Sequence, residues 1–190
     1  NITIEDSVIK GVEEGTVGEA NPIPSGAGEY SSIHSAVAVK QRDDGSYSGT
    51  PATLDGVTID NVTVKNSVNG LRFGEPGVDY SSNPEGPTDV TITDSTFQNN
   101  DRYHVEDLPD SVDLDAVMNR NGNAFDRTVS SEIGIYSSIQ PAIDLASDDT
   151  VIELSANNFT EQITIDKNLT LVGSGEGQTN ITAPDSLRST

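Results

Sequence analysis

Four aspartates in the segment VEDLPDSVDLD are the densest set of side chains in this sequence that could bind a ligand. Carboxylate oxygens are preferred ligands of Ca²⁺, so the set predicts a candidate calcium site, with Ca²⁺ as the only cofactor to consider. The segment lacks the glycine turn and ligand spacing of known calcium loops. The alternative is that these carboxylates cap a short helix, LDAVMNR, and otherwise face solvent. The four residues are Asp107, Asp110, Asp113 and Asp115.

The sequence contains two histidines and no cysteine, so few side chains suited to general acid-base or nucleophilic catalysis are present. His34 lies in the alternating stretch SIHSAVAV, and His104 follows Tyr103. Neither has a GxSxG nucleophile motif near it, and no HExxH motif occurs. A general acid or base role stays open for them, but packing or surface positions are favoured. Arg72 and Arg102 could serve a polysaccharide lyase, but salt-bridged surface positions are favoured. The sequence therefore predicts no catalytic residue and no enzymatic activity.

Five asparagines begin N-x-T sequons, the acceptor pattern for N-glycosylation in exported proteins. Asparagine and threonine are also common at strand corners for structural reasons, so the pattern alone does not fix occupancy. Five sequons in one chain nevertheless indicate an exported, extracellular or cell-surface glycoprotein. They begin at Asn1, Asn61, Asn158, Asn168 and Asn180.

The chain is strongly acidic along its whole length. Its 190 residues carry a formal net charge of −21, from 31 acidic and 10 basic residues. Such a surface excludes nucleic acid as a partner and disfavours anionic membranes, and no apolar run reaches the roughly 18 residues of a membrane span. The acids are scattered among periodic apolar residues, which favours a folded surface adapted to concentrated salt over an acidic disordered tail. This composition resembles that of proteins from halophilic archaea.

Three segments align without gaps and predict a repeated β structure. NITIEDSVIKG, GVTIDNVTVKN and DVTITDSTFQN each alternate Ile or Val with Thr, which is typical of a strand with one buried face. The acid or amide that follows marks a tight corner before a second short strand. These corner residues are Asp6, Asn61 and Asp94. Repeats too small to bury their own apolar face imply stacking, so the sequence predicts a parallel β-helix.

Further strands complete this pattern. SIHSAVAVK, residues 32–40, fits between the first two repeats, and residues 162–182 carry a fainter copy with inward positions at Ile163, Ile165, Leu169, Leu171 and Ile181. The Gly, Pro and Ser-rich stretches at residues 15–31, 43–53 and 73–88 are predicted to be loops that leave the corners.

A short amphipathic helix is predicted around residues 138–147. Ile139, Ala142, Ile143 and Ala146 have helical spacing, and Ser137 with Gln140 forms a candidate capping box. The stretch DDTVIELS that follows is predicted to be a strand. A helix that lays its apolar side over the open end of a solenoid would cap it.

The stretch SSIQPAIDLASDDTVIEL, followed by FTEQITIDKNLTLVGSGEGQTNIT, resembles the amino-terminal region of pectin-lyase-like right-handed parallel β-helix proteins. The resemblance is notably to pectin methylesterases and to the NosD-like surface proteins of archaea. In those families a SIQxAI helix precedes a strand, a GTYxE turn, IxKNLTLxG and GxGxTxI. Phe159, Thr160 and Glu161 stand at the position of that turn. The esterases' two aspartates, arginine and flanking glutamines would lie beyond Thr190, so the resemblance assigns no catalytic residue.

The order of these pieces predicts three parts: β-helix coils with long loops in residues 1–107, a connector in residues 108–136, and a capping helix with the first coils of a following β-helix in residues 137–190. One permuted period of a repetitive protein would have this order, with copies of itself as partners, either stacked head to tail or in tandem. We therefore expect a structural or adhesive module of an exported, filament-forming surface protein. A fragment of a polysaccharide-active enzyme and a noncatalytic module that binds surface glycans remain as alternatives.

Overall fold

The computed structural model describes residues 1–10, 35–39, 54–74 and 86–185. The fold is all-β with parallel sheets: 47% of the described residues lie in strands and 10% in helices. His34 and the predicted loops at residues 15–31 and 43–53 lie outside the described residues.

The elements follow in chain order. The strands of the first half are β1 (Ile2–Glu5), β2 (Val8–Lys10), β3 (Ser35–Val39), β4 (Asp55–Asp60), β5 (Thr63–Lys65), β6 (Asn69–Phe73), β7 (Thr88–Thr93), β8 (Thr96–Gln98) and β9 (Tyr103–Asp107). The second half contains α1 (Leu114–Asn119), β10 (Ala124–Phe125), β11 (Val129–Ser131), β12 (Gly134–Tyr136), α2 (Ile139–Leu145), β13 (Thr150–Leu154), β14 (Asn158–Thr160), β15 (Leu169–Gly173) and β16 (Asn180–Thr182).

The first nine strands form three consecutive sets of three. Strands β1, β4 and β7 make one parallel sheet, β2, β5 and β8 a second, and β3, β6 and β9 run parallel in a third. The predicted corners between the first two strands of each set are confirmed. Asp6, Asn61 and Asp94 all have φ near +50°, a conformation that Asn and Asp tolerate because their side chains bond locally.

Equivalent apolar residues stack on one another inside these sheets. Ile4 pairs with Ile59, which pairs with Ile92, and Ile9 continues into Val64 and Phe97 in the neighbouring sheet. Ile59, Ile92, Val64 and Phe97 are fully buried. This first core forms because the period-2 pattern sends every second side chain of each strand to the same side.

Residues 108–136, the predicted connector, contribute a strand to the second sheet and side chains to the first core. Strand β10 extends the second sheet by pairing with β8, and Val112, Val117 and Ile135 join the first core. Helix α1 confirms the short helix predicted in the acidic segment, and the Asp113 carboxylate caps it by accepting the Ala116 amide at 2.8 Å. Asp107 is buried and does not face solvent as that alternative expected.

The third sheet reverses direction at β12. Its order is β15-β13-β11-β12-β9-β6-β3, and β12 is antiparallel to both β9 and β11, while β13 is antiparallel to β11. Ile135 packs in the first core, whereas its neighbour Tyr136 packs with Val129 and Leu154 in a second core. Because successive side chains point to opposite faces of a strand, the two cores lie on opposite faces of this sheet.

The second core is covered by α2, which confirms the predicted helix. Ile139, Ala142 and Ile143 are buried against residues such as Ile152 and Phe159. Strands β13 and β15 pair in parallel, as do β14 and β16, so two further sets of two strands follow the helix. Within the described ranges, no helix is long and apolar enough to span a membrane.

One predicted strand of the fainter copy is wrong. Residues 162–166 form no strand, and Ile165 is 48% exposed. The backbone of Thr164 is instead bonded to a side chain: its amide donates to Gln140 Oε1 at 2.7 Å, and its carbonyl accepts from Gln140 Nε2 at 3.2 Å. These bonds occupy groups that a neighbouring strand would need.

Candidate functional site

Three of the four aspartates of the predicted calcium site, Asp107, Asp113 and Asp115, have side-chain partners within the protein. Asp107 is buried and accepts the Val112 amide at 2.6 Å and the Ser111 hydroxyl at 3.1 Å. Arg120 pairs with Asp113 at 3.0 Å and with Asp115 at 2.8 Å, while Asp110 is exposed. In the part of the chain that the structure describes, no three His, Cys, Asp or Glu side chains are grouped to hold a metal ion. Calcium binding stays a prediction.

His104 is a packing histidine in a closed hydrogen-bond network. Its ring is fully buried and lies against Phe97 and Phe125, with centroid separations of 6.1 and 5.6 Å. The Asn100 amide nitrogen lies 3.1 Å from Nδ1, so Nδ1 accepts and Nε2 carries the proton. Nε2 then donates to the Arg127 carbonyl at 3.0 Å, with Asp126 Oδ1 at 3.1 Å. Both ring nitrogens are therefore engaged.

Asp126 is the charged end of this network. Partial burial by itself would raise the pKa of its carboxyl. Hydrogen bonds from His104 and from the amides of Asn99 and Arg127 outweigh that effect and hold the pKa below its ordinary value. Asp126 therefore remains a carboxylate that ties β10 to the corner after β8.

A buried ionic cluster, consisting of Arg72, Tyr103 and Glu106, lies on the opposite face of the third sheet from the first core. Arg72 and Glu106 are directly paired across β6 and β9, and the Glu106 carboxyl accepts a hydrogen bond from Tyr103. All three side chains are at most 2% exposed. The expectation of a surface arginine at position 72 is wrong, because its strand is buried on both faces.

Burial is the largest influence on the pKa values of Glu106 and Tyr103 in this cluster. It raises the pKa of Glu106 to about 7, although the charges of Arg72 and Arg102 and the Tyr103 hydrogen bond favour the ionised form. It also raises the pKa of the Tyr103 phenol well above its ordinary value. A carboxyl with such a pKa has the acidity of a general acid, but burial keeps solutes from contacting it in this conformation. The signal missed in the sequence was the alignment of NGLRFG with YHVEDL, which places Arg72 beside Glu106.

The N-terminus of α2 is capped from a distance. The capping box predicted from Ser137 is wrong: α2 begins after Ser138, and neither Ser138 nor Ser137 accepts its amides. The Glu161 carboxylate accepts the Ile139 amide at 2.8 Å and the Gln140 amide at 3.3 Å. Glu161 thus fastens the helix to the chain after β14 and satisfies helix amides that otherwise have no acceptor.

The five sequon asparagines are all exposed. Four of them, Asn61, Asn158, Asn168 and Asn180, also take part in contacts between neighbouring strand sets. Asn61 donates to Asp6 at 2.7 Å, Asn168 donates to Asp149, and Asn180 donates to Asn158 Oδ1 at 2.9 Å. The structure thus gives these amides a role in corner-to-corner bonding, and glycosylation stays a prediction.

Two open edges of the described sheets expose large apolar residues. The leading edge consists of β1 and β2, where Ile2 is 42% and Val8 is 62% exposed. The trailing edge consists of β15 and β16, where Val172 is 43% and Ile181 is 42% exposed. Val57, the neighbour of Ile2 in the next strand, is fully buried, so the exposure arises at the edge itself.

A shallow apolar groove lies along the trailing edge. Its floor carries side chains at inward-facing positions, which a further strand at this edge would cover. The groove is lined by Leu154, Leu171, Gly173, Gly175, Thr179 and Ile181. An edge strand with unpaired backbone groups and an apolar floor is a template for a further strand.

Comparisons of the chain with protein-family models, with curated proteins and with solved structures find no match.

Proposed function

We propose that this chain is a structural or adhesive module of an exported surface protein of a halophile, and that it assembles through its sheet edges with copies of itself. The observation that carries the proposal is the pair of open edges, each of which exposes an inward-facing apolar residue, Ile2 at the leading edge and Ile181 at the trailing edge. Edges of this kind favour addition of another strand set. Contact between unlike edges is head to tail and extends into a filament when it does not close.

The architecture we propose is the right-handed parallel β-helix of the pectin-lyase-like superfamily. Its support is the passage of three consecutive strands through three sheets, with each strand parallel to its counterpart one set later. Crossovers between parallel strands are right-handed almost without exception. The second strand sets run in the opposite direction on the opposite face of the third sheet, which gives both stacks the same hand.

Export and high salt are supported by the surface. A net charge of −21 repels other copies at low ionic strength, whereas molar salt shortens the screening length to about 3 Å. The five exposed sequon asparagines suit a glycosylated extracellular surface. Assembly is therefore expected only at high salt.

The experiment is light scattering and negative-stain electron microscopy of the 190-residue chain in molar salt over a concentration series. We expect particle mass to rise with concentration and elongated particles to form. Ile2→Asp should stop this growth because it places a charge at the leading edge. Val151→Asp is the matched control, since Val151 is 49% exposed but lies on a strand inside the third sheet. A monomer at every concentration would refute the proposal.

A further inference from the structure

The segment that begins at β16 repeats the segment that begins at β1. Residues 180–186 read NITAPDS and residues 1–7 read NITIEDS, so the two are identical at all but two positions. The segment at β4 reads GVTIDNV and the segment at β7 reads DVTITDS. Neither begins with Asn-Ile-Thr. Of the repeats in this chain, β16 is therefore most like β1, and both lie at open edges.

The pairing of β16 with β14 shows how an Asn-Ile-Thr strand contacts its neighbour in a sheet. Asn180 lies over Asn158 and Thr182 over Thr160, with 2.9 Å between the amide nitrogen and the opposing amide oxygen, and 3.3 Å between the hydroxyls. Ile181 lies over the buried Phe159. The Asn and Thr side chains thus form ladders between β14 and β16. A strand added at the other edge of β16 would extend these ladders.

We propose that β1 of a second copy of this chain adds in parallel to the free edge of β16. Asn1 lies over Asn180, Ile2 over Ile181 and Thr3 over Thr182. The proposal rests on the proposed head-to-tail assembly and assigns its contact. In-register pairing of like residues is the rule within this chain, as for Thr58 with Thr91 and Ile59 with Ile92.

Burial favours this contact. Ile2 and Ile181 are each 42% exposed, and each is the outermost inward-facing residue of its sheet. Stacking one on the other covers both, as Val57 is covered between Ile2 and Val90. The contact extends the Asn and Thr ladders by one residue pair each. It also gives hydrogen-bond partners to the unpaired backbone groups of both edge strands.

Cysteine cross-linking tests the contact directly, because the chain contains no cysteine. Thr3→Cys and Thr182→Cys are made in separate chains; both threonines are exposed. In the proposed register their Cα atoms are one strand spacing apart, about 4.8 Å, which falls within the span of a disulfide. The variants are mixed in molar salt under mild oxidation, and circular dichroism confirms that each is folded.

Thr170→Cys is the matched control. Thr170 is an exposed threonine on β15, the other strand of the trailing edge, and does not lie over Thr3 in the proposed register. We expect the mixture of Thr3→Cys and Thr182→Cys to give at least tenfold more covalent dimer than either variant alone or than Thr3→Cys mixed with Thr170→Cys. Ile181→Asp should reduce the yield at least tenfold when added to the Thr182→Cys chain.

The outcomes separate this contact from the proposed function. Equal cross-linking in all mixtures, with particle growth still present by light scattering, overturns the β1 to β16 contact and leaves head-to-tail assembly by another surface. Absence of both growth and cross-linking overturns the two together. Preferential dimers of Thr3→Cys with itself would indicate a symmetric contact and would also contradict the inference.

Discussion

Replacing Glu106 with glutamine should make the protein more stable at alkaline pH. In the buried ionic cluster, burial raises the pKa of this carboxyl from 4.5 to about 7. The folded protein therefore holds the proton to a higher pH than the unfolded chain does. Stability from this group is fully present below pH 4.5 and is lost as pH rises from about 4.5 to about 7, because ionising a buried carboxyl is unfavourable.

The size of the effect follows from the shift. Each pKa unit corresponds to about 1.4 kcal/mol, so this group alone should lower the free energy of unfolding by roughly 2 to 3 kcal/mol between pH 5 and pH 8. Burial also raises the pKa of Asp107, to about 6. Ionisation of Asp107 therefore lowers the free energy of unfolding as well, over a lower pH range, by about 1 kcal/mol between pH 5 and pH 8. Glu106→Gln mimics the neutral acid, so it should remove the larger contribution only.

Urea unfolding at constant molar salt, at pH 5 and at pH 8, measures this difference. We expect Glu106→Gln to match the parent chain at pH 5 and to exceed its stability at pH 8. Glu153→Gln is the control, because Glu153 is an exposed strand residue and its replacement should leave the pH dependence unchanged. If the parent chain and Glu106→Gln lost the same stability between the two pH values, the assignment of the proton to Glu106 would be refuted.

Three further predictions concern packing, capping and metal binding. Gly70→Ala should cost roughly 3 kcal/mol or prevent folding, measured by the urea midpoint, because a Cβ there would lie 2.3 Å from the backbone oxygen of His104. Glu161→Ala should cost about 1 to 2 kcal/mol and Glu161→Gln about half of that, since only glutamine keeps an acceptor for the Ile139 amide; equal losses would contradict the capping role. The thermal midpoint should be the same with Ca²⁺ and with a chelator, because Asp107, Asp113 and Asp115 have partners in the protein; a rise with Ca²⁺ would instead establish the predicted site.

The strands and corners could be predicted because they depend on local pattern. Alternation of Ile or Val with Thr placed β1, β4 and β7, and an Asp or Asn after each run marked a corner such as Asp94. The helical spacing from Ile139 also placed α2. In each case the residues that determine the element lie within it, so neighbouring positions carry the signal.

The features that the sequence did not reveal depend on residues far apart in the chain. Glu161 caps α2 from 22 residues away, and Gln140 takes the backbone bonds of Thr164 that a strand would have used. Arg72 is buried because its strand meets Glu106 on β9 and is covered on both faces. Such contacts can be inferred only once the register between strand sets is known, and the unequal spacing of these sets along the chain hides that register.

The spacing between the second and third strand sets has a consequence for the gene. Four side-chain bonds between these sets each join residues 33 positions apart, including the Thr93 hydroxyl to Asp60 and the Val62 amide to Ser95. Duplication or loss of 33 codons would therefore add or remove one strand set while residues of the first two sheets kept equivalent neighbours, whereas β6 and β9 of the third sheet pair residues 34 positions apart. The antiparallel hairpin of β11 and β12 has no such counterpart, so evolutionary changes in length are expected on either side of it and not within it.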